Sequence, residues 1–386
     1  MKKNGVLVLS ALGCIAGPAL AQSSVTIYGV MDAPVEYVNN VARGVPTVVN
    51  NQLVSQPGGS RLSVASAGLS SPRWGLRGQE DLGAGLSAVF VLEGGFGVDS
   101  GVMTSNRLFG RQAFVGLQGP YGRLTFGRQY TSIFDGLSNF TPTRYAVLYE
   151  PIAWQLGVNY RSDNTIKYLG NFGPLKAAAH FTFGAGAGAV GFTPLGNGGA
   201  GETAGNFRDN AGYGASLTYL GGSVGATVVY DEWRPAVTTG QPGTVRKYGA
   251  ALSYEIGTVK AMAGYRWNRS SFANGNTFVR DDYWWAGLTY RVTPALGLSL
   301  GYYYADIKEA RVGPTAPGTK PANPWQVTFV ADYDLSKRTD VYVTTAYARN
   351  AGLNFDSTPI SFATGYIPTA GQKGMYGLAI GVRHKF

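Results

Sequence analysis

Side chains able to do covalent chemistry are scarce in this chain. Among its 386 residues are two histidines, His180 and His384, and one cysteine, Cys14. Acid–base or nucleophilic catalysis needs such groups beside a carboxylate, a hydroxyl or a base. No His–Asp or His–Ser set suggests itself around either histidine. No metal-ligand spacing occurs, and no bound cofactor is expected. The glycine runs GAGAGAV (184–190) and PLGNGGAGE (194–202) have no helix after them, so they read as loop and not as phosphate cradles.

Cations are the better lead. Lys and Arg number 32 against 22 acids, a formal charge of +10. No lysine- or arginine-rich run exists, so nucleic acid is not an expected partner. The cations fall instead at regular steps. In RWGLRGQ, Trp74 and Leu76 on one face set Arg73 and Arg77 on the other. In GRQAFVGL, Phe114 on the apolar face sets Arg111 opposite. In YRSDNTIKYL, Ile166 and Tyr168 set Arg161, Asp163 and Lys167 opposite. In VFVLEGG, Phe90 and Leu92 set Glu93 on the cationic side. Guanidinium is effectively always charged, so such a ladder is a fixed electrostatic surface suited to anions.

The elements that carry this ladder have period 2. In YGAALSYEI, Tyr248, Ala250, Leu252, Tyr254 and Ile256 share one face. In WQVTFVADYDL, Trp325, Val327, Phe329, Ala331, Tyr333 and Leu335 alternate with Gln326, Thr328, Val330, Asp332 and Asp334. Such segments run about ten residues, the length of a tilted strand crossing a bilayer. Seven short turns alternate with eight long links, which predicts sixteen strands. Short turns at one end and long loops at the other is the outer-membrane barrel arrangement.

A soluble sandwich would also alternate. It gives no reason, however, for apolar faces that end in Tyr, Trp and Phe, whereas a lipid face does. The predicted fold is therefore all-β, a 16-stranded antiparallel transmembrane β-barrel, closed because an open edge in hydrocarbon leaves backbone groups unpaired. The start reads as an export leader over residues 1–21. Lys2 and Lys3 are followed by a short apolar run and Ala19-Leu20-Ala21. The barrel is one domain over 22–386. Cys14 leaves with the leader, so the mature 365 residues (386 − 21) hold no thiol and no disulfide.

The blocks SSVTIYGVMDA, RWGLRGQEDLGAGLSAVFVLEGGF, RLFGRQAFVGL, YGRLTFGRQY and the terminal GVRHKF resemble the general porins of Gram-negative bacteria, most of all the β-proteobacterial and neisserial branch. The resemblance runs from Ser23 to Phe386. It implies a homotrimeric, water-filled channel in the cell outer membrane, among outer-membrane lipids and lipopolysaccharide, passing small anions and polar solutes. It also implies that Phe386 is an assembly signal read by the outer-membrane assembly machinery. Arg73, Arg111 and Arg161 match that family's constriction arginines, Glu93 their acidic companion and Asp135 the loop acid. Arg77 and Lys167 join them on the lumen face.

Sixteen strands enclose a channel too wide for side chains to fill. The third long loop, 130–161, carries Ile133, Phe134, Leu137 and Phe140, which suits a loop folded inward against the wall. One departure from the family pattern is Pro34, where Gly is usual. It predicts a bulge or an early end of pairing there. With cations outnumbering acids, anion preference is expected. The alternative function is an adhesive or structural barrel whose long loops bind surfaces.

Overall fold

The computed structural model describes residues 24–44, 47–50, 52–186, 202, 204–205, 207–235, 243–356 and 365–386. The expected leader, with Cys14, and most of the two glycine-rich runs lie outside the described residues. Sixteen strands run in sequence: β1 (Ser24–Ala42), β2 (Arg73–Gly83), β3 (Leu86–Gly95), β4 (Gln112–Gly119), β5 (Gly122–Tyr130), β6 (Arg161–Phe172), β7 (Leu175–Thr182), β8 (Gly212–Gly221), β9 (Val224–Trp233), β10 (Thr244–Ile256), β11 (Val259–Ser271), β12 (Thr277–Arg291), β13 (Leu296–Ala310), β14 (Trp325–Asp334), β15 (Thr339–Arg349) and β16 (Gly374–Lys385). Each pairs antiparallel with the next, and β1 pairs with β16 to close the cylinder. At the seam Gly29 and Phe386 exchange both backbone hydrogen bonds.

Alternation sorts the two faces. On β10, Leu252 and Ile256 are 65% and 69% exposed, while Lys247 and Ala251, of the opposite parity, are each 3% exposed. Outward rings form belts. Near the long-loop end, Tyr213, Tyr230, Tyr248 and Trp267 follow one another at 5.9, 4.9 and 5.4 Å. Tyr219, Tyr254, Tyr290 and Tyr333 are exposed near the short turns. Rings with polar tips suit the headgroup zone. No helix among the described residues is long and apolar enough to cross a membrane, so the crossing is made by strands. The turn between β10 and β11 consists of Gly257 and Thr258, and Gly257 takes φ +57°, which a side chain would oppose.

Pro34 does not bulge β1. It sits opposite Gly381 in an unbroken ladder with β16. The Gly29–Phe386 pair puts the β16-directed amides of β1 at odd positions, so the missing Pro34 N–H would face the β2 side. There, pairing to β2 has already ended at Val30–Arg73. A separate strand, Gly58–Val64, takes over from Val35, and the Ala65 amide donates to the Pro34 carbonyl. The early end of pairing is therefore found on one side only.

Between these two partners the chain dips into the lumen. The amides of Gly68, Leu69 and Ser70 all donate to the Asp32 carboxylate, at 3.1, 2.9 and 2.7 Å, and the Tyr342 hydroxyl joins them. Leu353, Asn354 and Phe355 of the last long loop also turn inward and are buried.

Candidate functional site

The third loop (131–160) opens with a short helix, α1 (Ser132–Leu137), and later forms α2 (Ile152–Leu156). Helical spacing puts Ile133 and Leu137 on one face. With Phe140 they are fully buried against an apolar patch of the inner wall that includes Val229 and Ala251. Contact is so close that a Cβ on Gly136 would lie 2.4 Å from Val229 Cγ1. The wall also grips the loop through hydrogen bonds. Trp285 Nε1 donates to the Phe140 carbonyl at 2.7 Å, and the Tyr303 hydroxyl donates to Glu150 at 3.2 Å. The Ser132 amide donates to His180 Nδ1 at 3.1 Å. The inward rings of Trp285 and Tyr303 thus hold the loop. Against the sequence expectation, His180 does have a serine and an aspartate beside it: Ser132 Oγ lies 2.9 Å from Nδ1 and Asp231 Oδ2 3.9 Å from Nε2, with all three residues buried between loop and wall. The reading that turned all four loop apolars to the wall needs one correction: Phe134 lies on the other face of α1 and lines the lumen cavity.

Above α1 this cavity collects the charged groups. Arg73, Arg111, Arg144 and Arg161 line it, with Glu93 and Glu150. Arg111 Nε is 2.7 Å from Glu93 Oε1, and Arg73 Nε is 3.6 Å from Oε2, which also accepts from the Tyr28 hydroxyl. The Tyr130 hydroxyl oxygen accepts from both Arg111 (3.1 Å) and Arg161 (3.0 Å). Arg161 stacks over the rings of Tyr130 and Tyr160 at 4.7 and 4.9 Å. Glu150 accepts from Thr143 and Tyr303. Burial pushes its carboxyl up to about 7, against the downward pull of those hydrogen bonds. Two carboxylates, one of them half-neutral at pH 7, thus face four permanent cations.

The structure therefore brings Arg73, Arg111, Arg161 and Glu93 together. Lys167 and Asp135 stand apart, as an ion pair of 2.9 Å on the same wall beneath α1, and Lys167 also donates to the Tyr130 carbonyl. Asp135 lines a lower cavity with Arg123 and does not face the arginine cluster. Arg77 is in the lumen over the Tyr28 ring, whose hydroxyl reaches Glu93, but it does not itself line the cavity.

Arg111 reaches the lumen for a different reason from the expected one. Val115 and Leu117 are the exposed apolar residues of β4, and Phe114 is buried on the inner face. Arg111 precedes the strand, outside its pleat, where its amide bonds the Glu93 carbonyl. Asp163 is held by Arg107 and Arg128 at 2.8 and 2.7 Å, and so does not join the cluster.

Sequence reasoning missed Arg144, Tyr130 and Tyr160, and gave Glu150 no role. Loop residues have no period to betray their direction. The only signal was the concentration of aromatic residues between Tyr130 and Tyr160.

Comparison with known proteins shows the family and the fold. A family profile described as Gram-negative porin matches residues 6–353. An outer membrane porin protein of Bordetella pertussis is 30% identical, with both chains fully covered. Outer membrane porin protein 32 of Delftia acidovorans is 35% identical over 47% of this chain and 50% of its own. Among solved structures, an anion-selective porin from Comamonas acidovorans superposes with a TM-score of 0.72 at 23% identity, covering 95% of this chain and all of that one.

Proposed function

The chain belongs to the Gram-negative porin family, and from that premise we propose that its passive outer-membrane channel prefers anions and assembles as a homotrimer. The observation that carries the preference is the cavity beside the third loop, where four arginines outnumber two carboxylates whose oxygens are already engaged. A ring of excess charge at the narrowest level sets which ion enters. That one solved structure of this fold is named as anion-selective accords with the reading. Transport here is diffusion, with no chemical step.

Trimer formation is inferred from the family, one solved structure of this fold being described as a trimer form, with the outer face of the first strands as the proposed contact. Val25, Ile27, Met31 and Val35 form an exposed apolar stripe there. The second long loop lies over the same side, with the Phe109 ring on Trp74 at 6.0 Å.

The test is planar-bilayer recording of the purified protein. The reading predicts conductance steps in threes and a chloride-preferring reversal potential in asymmetric KCl. The preference should weaken as salt rises, because about 0.15 M salt screens beyond about 8 Å. Cation preference would refute the anion reading. Absence of current would favour an adhesive barrel.

A further inference from the structure

We propose that the constriction is a selective binding site for planar aromatic anions, of the aryl carboxylate class, and does not treat all small anions alike. This rests on the anion-preferring reading above.

Beside the arginines stands a column of near-parallel rings. Tyr130 and Phe134 stack at 3.9 Å with 14° between their planes, and Phe134 and Tyr145 at 5.4 Å with 24°. Tyr160 lies 6.0 Å from Phe134 at 15°. All four rings line the lumen cavity. Arg161, itself stacked at one side of the column, is 9% exposed, and its Nε has no hydrogen-bond partner; nor has the buried Tyr145 hydroxyl. The loop reaches this arrangement with two successive left-handed residues, Arg144 and Tyr145, each at φ +58°. That conformation is costly for side-chain-bearing residues and is kept where the surroundings demand it.

The chemistry selects the ligand. The inner faces of the column are taken by its own stacking, so its ring edges and end faces are what a further planar ring meets. Guanidinium suits a carboxylate, and the exposed Arg144, next to Tyr145, presents its guanidinium to the cavity. A sugar would need free acceptors for its hydroxyls, but the oxygens of Glu93 and Glu150 are already engaged. The wall rings that could have formed a separate track, Trp285 and Tyr303, are occupied in holding the loop. The column therefore belongs to the loop itself.

The experiment measures block of chloride current in planar bilayers by benzoate, cyclohexanecarboxylate and acetate at constant ionic strength. Benzoate and cyclohexanecarboxylate share charge and approximate size, and only benzoate has a π face. Benzoate should reach half-block at a concentration about three- to tenfold lower than cyclohexanecarboxylate, with acetate weaker than both. Phe134→Leu keeps the apolar volume and should bring the two six-membered-ring acids to within about twofold of each other. Tyr145→Leu, at the loop tip, should narrow the gap in the same direction. Arg161→Gln should weaken both ring acids together. Equal half-block by the two acids in the unaltered protein overturns the proposal, as does an undiminished gap in Phe134→Leu or Tyr145→Leu. A chloride-preferring channel without the gap refutes only the aromatic site, whereas a cation-preferring or silent protein refutes the underlying reading as well.

Discussion

Replacing Arg161 by Gln should change ion preference several-fold, while the same change at Arg77 should barely register. Both arginines face the lumen, so charge count alone predicts equal effects. Position separates them. Arg161 lines the cavity beside the third loop, where a passing anion comes within about 4 Å of the guanidinium. At an effective dielectric of about 40, between the surface and bulk values, the attraction there is about 2 kcal/mol. Salt at about 0.15 M screens it to about 1 kcal/mol, or about fivefold in relative anion entry. Arg77 stands four residues further along β2 than Arg73, about 13 Å down the strand. At that distance the screened term falls to about 0.1 kcal/mol, less than about 1.3-fold. The assay is the reversal potential of single-variant channels in a KCl gradient. Arg161→Gln should cut the chloride-to-potassium permeability ratio about fivefold and leave Tyr130 its bond from Arg111. Equal shifts for the two variants would show that the field is spread along the lumen, and would refute the localised constriction.

Three further outcomes follow from named contacts. Glu150 is neutral below about pH 7 and ionised above it, and its ionised form opposes the arginines. Chloride preference should therefore be stronger at pH 5.5 than at pH 8.5, and Glu150→Gln should flatten that dependence in reversal-potential measurements. Asp32→Ala removes the acceptor of three successive amides, a loss of about 2–4 kcal/mol. It should lower the unfolding temperature in detergent and open the chain around Ala65 and Ala67 to elastase. Phe386→Ala keeps the backbone bonds to Gly29, and the exposed ring fills no core. The variant should refold in vitro as a barrel yet appear in lower amount in the outer-membrane fraction of cells; unchanged amounts there would remove Phe386 as the assembly signal.

The strands were legible because one physical rule, lipid on one face and water on the other, repeats at period 2 along each of them. All seven short turns fall where residue type marks them, and so do the long links with one exception: the link expected near 267–282 shrinks to 272–276, because β11 and β12 extend to Ser271 and from Thr277. The rule fails where the pleat stops. Arg111 lies one residue before β4, so the parity argument from Phe114 was wrong although the arginine does face the lumen. Near Asp163, the left-handed Asn164 and a register shift between Gly127 and Gln129 break the alternation, and the carboxylate goes to Arg107 and Arg128. Loops have no such rule. Ile133, Leu137 and Phe140 could be assigned to the wall from apolarity alone. The opposite face of a six-residue helix, which turns Phe134 to the lumen, could not. Nor could the dip of residues 65–72 over Asp32, whose only trace was one of two acids, Asp32 and Glu36, on the lumen face of β1.

The central claim is which face of each strand meets water, and the absence of cysteine from residues 22–386 makes it directly testable. On β13, Ser299 lines the lower lumen and its neighbour Leu300 is exposed on the outer face. In bilayers, Ser299→Cys should react with a charged, membrane-impermeant thiol reagent and lose conductance. Leu300→Cys should resist that reagent and take up only a lipid-soluble one. Equal reaction of both positions with the impermeant reagent, or the reverse pattern, would contradict the account.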